Sequence, residues 1–456
     1  MTHEEPLKTN ITIAGAGPVG SMLAIILSRA GYQADVYESR SDARTHDVYQ
    51  GRSINIALSD RAWLALKAIN LDDNVRDYAI PLSKRIIHSL DGSTATQNYG
   101  TEKQKIWSIS RKKINEILLT QAAKEPNVNL HFEQRLTHVD FNSACCSFSY
   151  QKGGRRAHKE VDADYVFAAD GAYSKVRRLA QDTPRFNYSQ SYMKQCYIEL
   201  TIAANSDGSY KLDKNSLHLW PRKDFILMAL PNSDGSFTCT LFLNYQGDVS
   251  FDALKTSTEI HAFFKQYFSC VYPILSDPIE AFVEKTANPL FLVSVDPWVV
   301  NNKVALIGDA AHAMVPFYGQ GLNCSFEDCH QLSQLITQHQ GNWQQIFTDF
   351  QALRKNNADA ISNLSKDNFI EMSHLGHDSA FSVRKKIEEK FQQKHPELWQ
   401  CVYTMVSFFP DIPYSQAREV WTKQALIMDE IMKIETIEQC WQDEFVYEKL
   451  KELVQN

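Results

Sequence analysis

The feature that most constrains the fold of this chain lies in its first forty residues. Residues 10–39 run as an apolar segment NITIAG, a glycine turn AGPVG, a helix-like segment SMLAIILSRAGY and a second apolar segment ADVYES. Two neighbouring parallel strands need a crossover of about a dozen residues or more, and a helix of this length provides it. The pattern therefore predicts a βαβ unit, and with it an α/β protein that contains a Rossmann-like parallel sheet.

The turn inside this unit has the spacing GxGxxG, formed by Gly15, Gly17 and Gly20. In such a loop the first glycine permits a tight turn, the second lets the backbone approach a pyrophosphate, and the third allows close packing of helix and strand. Glu38 ends the second strand, where a carboxylate accepts a hydrogen bond from a ribose hydroxyl and opposes a 2′-phosphate. We therefore expect FAD or NAD here, with Arg40 as a further contact; the alternative is a glycine turn in an unrelated α/β protein.

Two further glycine–aspartate pairs follow buried strand-like segments. Asp170-Gly171 comes after DYVFAA, with Ser174 and Arg177 downstream, and Gly308-Asp309 comes after VALI. A strand end can present a carboxylate to a cofactor hydroxyl, and the glycine keeps the backbone close to it. Either pair alone could be an ordinary strand-end turn, but together with the glycine loop they favour a nucleotide cofactor.

The segment VPFYGQGLNCSFED, residues 315–328, places a proline and two glycines directly before a predicted helix. It is either a sharp turn or a backbone against which another molecule lies closely. Elsewhere, residues 105–125 read as a helix with Ser110 as its N-cap, and residues 129–168 read as strands with a Gly153-Gly154 hairpin turn. An antiparallel sheet is expected from 190 to 250, and the chain is mostly helical in period after residue 322.

Composition excludes several classes of protein. The chain has 456 residues, is 44% hydrophobic and carries a net charge of −7, so it lacks the basic surface of a nucleic-acid-binding protein. No run of about 18 apolar residues predicts a transmembrane helix, and the N-terminus resembles neither a signal nor a transit peptide. Nine cysteines occur without any CxxC pair, which favours reduced thiols, a cytoplasmic location and no metal site. The oligomeric state is left open, a homodimer included.

The three glycine motifs together resemble the FAD-dependent aromatic hydroxylases, the single-component (class A) flavoprotein monooxygenases, over roughly residues 8–335. That resemblance implies FAD as cofactor and NADPH as co-substrate, without a separate nicotinamide domain. It implies that Arg111 contacts the cofactor near the pyrophosphate, that Asp309 bonds the ribityl chain, and that the Asp170 segment serves FAD and NADPH. Pro316 and Phe317 would form an apolar wall beside the flavin ring. The residues that would offer backbone to that ring are Gly319, Gly321, Leu322 and Asn323.

The resemblance also implies a domain organisation. An FAD-binding domain would comprise residues 1–75, 104–185 and 290–335, and an inserted antiparallel-sheet domain for the substrate would comprise 76–103 and 186–289. A C-terminal helical region, 336–456, would close the active site.

Four stretches resemble more closely a group within this family that acts on L-kynurenine: residues 51–66, 83–92, 314–329 and 358–372. The similarity implies that Arg85 and Tyr99 bind the amino-acid carboxylate. It implies that Asn368 and Glu371 are a polar pair in the substrate pocket and that Tyr414 is a further substrate contact. An arginine suits a carboxylate because its donors are planar and bidentate, and positions i and i+3 share one face of a helix.

Each of these residues also has a plainer interpretation. Arg85 could be a surface arginine, and Asn368 with Glu371 could lie on a solvated helix face, since charged and amide side chains are mostly exposed. Tyr99 could pack a loop. We expect His312 to be structural, with no metal or triad constellation near it, and Cys324 and Cys329 to be small buried residues.

The implied activity is hydroxylation of L-kynurenine to 3-hydroxykynurenine with NADPH and O2, by way of a C4a-hydroperoxyflavin. One alternative is a related hydroxylase of another aromatic acid. Another is a flavin-binding module without turnover. A membrane-attached enzyme is disfavoured, because eukaryotic members of the family carry a C-terminal membrane helix where this chain has the charged segment DEFVYEKLKELVQN.

Overall fold

The structure is a computed structural model that describes residues 9–45, 55–100, 103–276, 282, 286–374 and 379–455. Residues 51–54 of the first resembling stretch lie outside this description. The chain divides into two compact units. Unit 1 comprises Met1–Ala79, Ile109–Tyr192 and Phe291–Ser362, and unit 2 comprises Ile80–Ser108, Met193–Leu290 and Asn363–Asn456. The three functional domains expected from the sequence stay a prediction.

The strands are, in chain order, β1 (Asn10–Ala14), β2 (Gln33–Tyr37), β3 (Asn55–Leu58), β4 (Ile80–Leu82), β5 (Lys84–His88), β6 (Thr94–Asn98), β7 (Ile106–Ser110), β8 (Val128–His131), β9 (Arg135–Val139), β10 (Cys146–Lys152), β11 (Arg155–Val161), β12 (Tyr165–Ala168), β13 (Asn187–Ile202), β14 (Ser216–Arg222), β15 (Phe225–Pro231), β16 (Phe237–Asn244), β17 (Asn288–Asp296), β18 (Val299–Val300) and β19 (Val304–Leu306).

The α-helices are α1 (Pro18–Arg29), α2 (Asp60–Ala68), α3 (Asp72–Arg76), α4 (Arg111–Ala122), α5 (Lys175–Ala180), α6 (Ser257–Tyr267), α7 (Asp309–His312), α8 (Gly321–His339), α9 (Trp343–His374), α10 (Ser379–Lys394), α11 (Val402–Phe408), α12 (Tyr414–Ile431), α13 (Ile437–Cys440) and α14 (Glu444–Gln455). Short 3₁₀ turns span Tyr272–Ile274 and Pro316–Tyr318.

Unit 1 is organised around a six-stranded sheet with the order β18-β19-β12-β1-β2-β8. Its strands are parallel except for the β18–β19 pair. Strand β1 lies in the middle, and Ile13 on it pairs with Val36 on one side and Phe167 on the other. Its apolar run reflects burial on both faces, which is typical of parallel sheets. The predicted α/β fold with a Rossmann-like layer is confirmed.

The predicted hairpin is also present. Strands β10 and β11 pair antiparallel, with Lys152 opposite Arg155 across the Gly153-Gly154 turn. Both glycines have positive φ angles, of 58° and 75°, which is the conformation that a two-residue hairpin loop of this type requires.

Most of a seven-stranded sheet with the order β17-β13-β16-β15-β14-β5-β6 belongs to unit 2. The β13–β16, β16–β15, β15–β14 and β5–β6 pairs are antiparallel, and β5 joins β14 in parallel. Helix α6, begun by a capping box of Thr256 and Glu259, packs Ile260 and Phe264 into the core of this sheet. Because side chains alternate along a strand, Arg85 and Ile87 lie on one face of β5 and His88 lies on the other.

The C-terminal helices of unit 2 have a core of their own, which includes Phe391, Trp399, Tyr447 and Leu450. Within the described ranges, no helix combines the length and the apolarity that crossing a bilayer would require.

Candidate functional site: a nucleotide loop and a buried arginine clamp

The glycine loop has the geometry that its spacing predicts. Gly15 has a φ of +104°, and a Cβ there would lie 2.5 Å from the Ala169 carbonyl oxygen. A Cβ on Gly20 would lie 1.9 Å from the Gly15 carbonyl oxygen. Gly17, which precedes helix α1, has no described atom within 4 Å of its Cβ position. Chain packing therefore explains Gly15 and Gly20, whereas Gly17 leaves an open approach to the helix N-terminus, as a bound pyrophosphate requires.

Glu38 is buried directly beside this loop. Its Oε2 accepts a hydrogen bond from the Ala16 amide at 3.0 Å, and its Oε1 accepts from the Arg40 amide and from Arg40 Nε, both at 2.9 Å. Burial raises the pKa of Glu38, but the Arg40 contacts outweigh burial and hold that pKa below its usual value. Glu38 is therefore an ionised acceptor that also ties the glycine turn to the end of β2.

The Asp170 segment contains a buried oxygen without a partner. Asp170 Oδ2 accepts from the Lys175 and Val176 amides at the start of α5, at 2.7 and 3.2 Å. Its Oδ1 is buried and accepts no hydrogen bond from the described residues, and burial raises the pKa of this carboxyl. Buried polar atoms are nearly always paired, so this oxygen has the property expected of a cofactor contact.

Arg177 joins the two glycine–aspartate segments. Its Nη2 donates to the Ala172 carbonyl at 2.6 Å and its Nη1 donates to the Ala310 carbonyl at 2.9 Å. Gly308, before Asp309, has a φ of +63°. The two strand ends that the sequence marked are thus held together within unit 1.

Arg111 is the first residue of α4 and is half-buried. Its guanidinium makes no hydrogen bond or ion pair with the residues that the structure describes. A long cationic side chain at a helix start, with open donors, suits a phosphate group. The open backbone at Gly17, the unpaired Asp170 oxygen and Arg111 together fit the phosphate and sugar portions of FAD.

The segment around Pro316 forms a compact turn before helix α8. Pro316–Tyr318 is a 3₁₀ turn, Phe317 is buried, and Gly319 has a φ of +68°. A Cβ placed on Gly321 would have Met314 Cγ as its nearest neighbour, at 3.7 Å. That distance is an ordinary van der Waals contact, so packing among the described residues does not by itself require a glycine at position 321.

The side chain of Asn323 has a structural role in addition to the backbone role expected from the sequence. Its Oδ1 accepts from the Ser59 amide at 2.8 Å, and its Nδ2 donates to the Ala57 carbonyl at 2.8 Å and the Gly319 carbonyl at 2.7 Å. The side-chain amide thus holds the turn in place, and a cofactor contact by Asn323 is left to its backbone N–H.

His312 belongs to a buried ionic network, as a structural residue would, but its charged neighbours were not identified from the sequence. His312 Nε2 lies 2.6 Å from Asp328 Oδ2, and Arg354 Nε lies 2.7 Å from Asp328 Oδ1. Arg354 and Arg61 both pair with Glu327, at 3.1 and 3.0 Å. We name these five residues the Arg354 network. Sequence reasoning missed it because its members lie on four separate helices, α2, α7, α8 and α9, and no motif marks them.

The same region brings His312, Cys324 and Asp328 together, with their potential ligand atoms within 4.8 Å of one another. Both Asp328 oxygens are already bound by His312 and Arg354. Burial raises the pKa of the Cys324 thiol well above its ordinary value, so the thiol stays protonated. We therefore interpret the group as part of an ion-pair network. Cys324 and Cys329 are fully buried, as predicted.

Unit 2 contains a second polar centre, built around Arg85. Its guanidinium lies 4.9 Å from the ring centroid of Tyr99 and 4.3 Å from that of Tyr403. Arg85 is only 8% exposed, and its Nε has no hydrogen-bond partner among the residues that the structure describes. No carboxylate pairs with it in the part of the chain that the structure describes. The interpretation of Arg85 as a surface arginine is therefore wrong.

Tyr99 and Tyr403 supply the walls of this centre, which we name the Arg85 clamp. Their rings stack at 5.6 Å, and Thr404 Oγ1 donates to the Tyr99 carbonyl at 3.4 Å, which fixes α11 against the loop. Burial raises the pKa of Tyr99 well above its ordinary value, so its phenol remains a neutral donor. Tyr403 was missed, since about 300 residues separate it from Tyr99 and no motif marks it.

The remaining predicted substrate residues lie on helices of unit 2. Asn368 is 8% exposed, so a solvated helix face is the wrong interpretation for it, and Glu371 lies one turn later on α9. Tyr414 begins α12 and is fully buried. The structure places Tyr403, together with Tyr99, against Arg85, and the substrate role of Tyr414 stays a prediction.

Comparison with known proteins agrees with these features. Residues 8–345 match the family model described as "FAD binding domain". The fold resembles the solved tetrameric form of 2-methyl-3-hydroxypyridine-5-carboxylic acid oxygenase, with a TM-score of 0.65 at 18% identity over 82% of this chain and 94% of that one. It also resembles PqsL, a probable FAD-dependent monooxygenase from Pseudomonas aeruginosa, with a TM-score of 0.62 at 18% identity over 80% of this chain and 97% of that one.

The chain belongs to the FAD-dependent aromatic hydroxylase family, and it is a flavoprotein monooxygenase. Among its curated relatives is the kynurenine 3-monooxygenase of Christiangramia forsetii, 42% identical over 445 residues, which cover 98% of both chains. The kynurenine 3-monooxygenase of Sus scrofa is 38% identical and covers 94% of this chain and 90% of its own.

Proposed function

We propose that the protein hydroxylates L-kynurenine to 3-hydroxykynurenine, with NADPH as reductant and O2 as oxidant. The observation that carries this proposal is the Arg85 clamp, a buried cation between two tyrosine rings that has no counter-ion among the described residues. Burying an unpaired charge is costly, and an anionic ligand would offset that cost. The carboxylate of an amino acid supplies such an anion, and curated relatives of this chain are named for an amino-acid substrate.

Unit 1 would hold the FAD. Gly15, Gly17 and Gly20 would leave room for the pyrophosphate at the start of α1, while Glu38 would accept from a ribose hydroxyl. Arg111 would contact the phosphates, and Asp309 with the unpaired oxygen of Asp170 would accept from cofactor hydroxyls. Bound FAD supplies the activation of dioxygen, which protein side chains do not provide on their own.

The Pro316 turn would serve the flavin ring. Pro316 and Phe317 offer an apolar surface that keeps water away from the reacting atoms, and exclusion of water limits wasteful release of peroxide. Helix α8 begins at Gly321, so the amides of Gly321, Leu322 and Asn323 point out of its N-terminus. That end carries a partial positive charge that favours an anionic ring edge.

Unit 2 would bind and orient the substrate. Arg85 would take the carboxylate in bidentate fashion, and the hydroxyl groups of Tyr99 and Tyr403 would add donors. Asn368 and Glu371, with Tyr414, would meet its amine groups. The ring carbon to be hydroxylated lies ortho to an aniline nitrogen and is electron-rich, so no residue has to act as a strong base.

Turnover of the purified protein tests the proposal. NADPH consumption is measured with and without L-kynurenine, with a panel of other aromatic acids alongside, and the product mass is determined. We expect L-kynurenine to stimulate NADPH oxidation and to gain one oxygen atom. A protein that cannot be loaded with FAD would overturn the whole proposal. FAD binding without substrate-stimulated oxidation would identify a flavin module, and stronger stimulation by another acid would identify a different substrate.

A further inference from the structure

Glu371 stands at the centre of a cluster of alternating charges on three helices of unit 2. Its Oε2 lies 3.0 Å from Lys385 Nζ on α10, and its Oε1 accepts a hydrogen bond from Trp421 Nε1 on α12 at 3.2 Å. The Glu371 side chain is 30% exposed. Each carboxylate oxygen therefore has one protein donor and keeps acceptor capacity for a second.

The two donors to Glu371 are themselves held in place. Lys385 also pairs with Glu388 at 3.0 Å, and Glu388 pairs with Arg384 at 3.3 Å. The guanidinium of Arg418, which pairs with Asp367, lies 4.4 Å from the centroid of the Trp421 ring. The contact with Arg418 holds the Trp421 ring in place and so fixes the direction of its indole N–H. An isolated surface ion pair would not require this additional support.

The charges around Glu371 favour its ionised form. Burial raises its pKa, but Lys385, the Trp421 hydrogen bond and Arg384 outweigh burial, so the pKa lies below its usual value. Lys385 and Glu388 carry opposite charges, and Arg384 is further paired with Asp429 at 2.7 Å. The cluster thus presents a fixed anion at Glu371, on the same helix face as the buried Asn368.

We propose that Lys385 and Trp421 are positioning residues that hold the Glu371 carboxylate ionised and oriented to receive the α-ammonium group of the substrate. This inference rests on the proposed function. It assigns one receptor to each charge of an amino acid, Arg85 to the carboxylate and Glu371 to the ammonium group. The enzyme is then selective for aromatic ketones that carry an α-amino group over the same compounds without it.

The test uses the full-length, FAD-loaded protein and two substrates, L-kynurenine and its desamino analogue, across a range of pH. In Lys385→Met the cation is lost and the pKa of Glu371 rises. When the pH is lowered, the variant therefore loses ammonium binding at a higher pH than the wild-type protein does. We expect KM for L-kynurenine to rise roughly tenfold, the equivalent of one pKa unit of interaction, with kcat changed less. The acid limb of kcat/KM should move to higher pH, while KM for the analogue should stay unchanged.

Matched variants separate positioning from loss of structure. Lys385→Arg should restore most of the KM and the acid limb, because the charge is kept. Trp421→Phe should raise KM in the same direction by a smaller factor. Lys394→Met is the control. Lys394 lies on the same helix as Lys385, but it pairs with Glu444 at 3.0 Å and not with Glu371.

Three results would overturn the inference. The first is an unchanged KM and acid limb in Lys385→Met. The second is an equal penalty for L-kynurenine and the desamino analogue. The third, which needs no variant to fold, is an equal KM for the two substrates in the wild-type protein. A wild-type protein that does not hydroxylate L-kynurenine would instead overturn the proposed function, so the two failures are distinguishable.

Discussion

Two buried arginines, one in each unit, differ in how their charge is balanced. Arg354 in unit 1 is 2% exposed, with Asp328 at 2.7 Å and Glu327 at 3.1 Å. Arg85 in unit 2 is 8% exposed and has the faces of Tyr99 and Tyr403 in place of a carboxylate. A buried charge is tolerated when it is paired and costly when it is not. We therefore interpret Arg354 as a structural residue and Arg85 as a receptor for an anion.

The largest expected effect is the loss of stability when Arg354, the paired arginine, is replaced. Replacement Arg354→Met removes one cation from the buried Asp328 and Glu327 and leaves them His312 and Arg61 as partners. Breaking a buried ion pair costs about 3–5 kcal/mol. Chemical denaturation should show that loss in the free energy of unfolding. Lys433→Met, which removes an exposed pair with Glu430, should change stability by no more than about 0.5 kcal/mol. Equal effects of the two variants would refute the structural interpretation of the network.

The next effect separates binding from stability at the unpaired arginine. Arg85→Met should lower kcat/KM for L-kynurenine by a factor equivalent to about 2–5 kcal/mol, since the substrate carboxylate loses its charged partner. The free energy of unfolding should stay the same or rise, because an uncompensated buried charge is removed. Steady-state kinetics and denaturation of the same FAD-loaded sample measure both quantities. A protein that is destabilised while its kinetics are unchanged would contradict the clamp.

A smaller effect distinguishes the two contributions of Tyr403. Tyr403→Phe keeps the ring that faces Arg85 and removes the phenol, so KM should rise by an amount equivalent to about 0.5–1.5 kcal/mol. Tyr403→Leu removes the ring as well and should raise KM further. Tyr245→Phe, at a tyrosine that is 53% exposed, is the control for the kinetic measurement. If Tyr403→Phe matches wild type, Tyr403 packs against Arg85 without contacting substrate.

The smallest expected effect concerns His88. Arg354 is paired with carboxylates and Arg85 faces tyrosine rings, whereas His88 is held in its neutral form. His88 lies 3.0 Å from His218 and stacks on Trp220. Burial, then His218 and Arg222, lower the pKa of His88 to about 4. The unfolded chain therefore takes up this proton more readily, and stability is lost as the pH falls from about 6.5 towards 4. His88→Gln should show a shallower loss across that window; an unchanged slope would refute the prediction.

Local sequence was sufficient for the glycine loop and for most of the secondary structure. Gly15, Gly17 and Gly20 stand within six residues between a strand and a helix, so their meaning depends on short-range geometry alone. The Gly153-Gly154 hairpin and the buried strand before Gly308 follow from turn chemistry and apolar runs in the same way. The family resemblance extended this to Arg85 and Tyr99, whose side chains the structure places together.

Clusters made of distant residues could not be predicted from the pattern. The Arg354 network joins four helices, and each of its members, taken alone, reads as an ordinary polar position on an amphipathic helix. Tyr414 and Tyr403 illustrate the same limit, because both are tyrosines at helix starts and, of these two, only Tyr403 packs against Arg85. Likewise, the spacing around Asn323 indicated a cofactor contact but did not reveal that its amide is used to hold the turn.

The sequence by itself determined the parallel sheet, the nucleotide loop and the residue types available for chemistry, because these depend on periodicity, glycine geometry and spacing along the chain. Only the tertiary structure decided which charges are balanced. Arg354 and Arg85 are the same residue type, and folding brings two carboxylates to the first and two phenol rings to the second. The electrostatic cost of burial depends on those neighbours, and sequence spacing does not specify them.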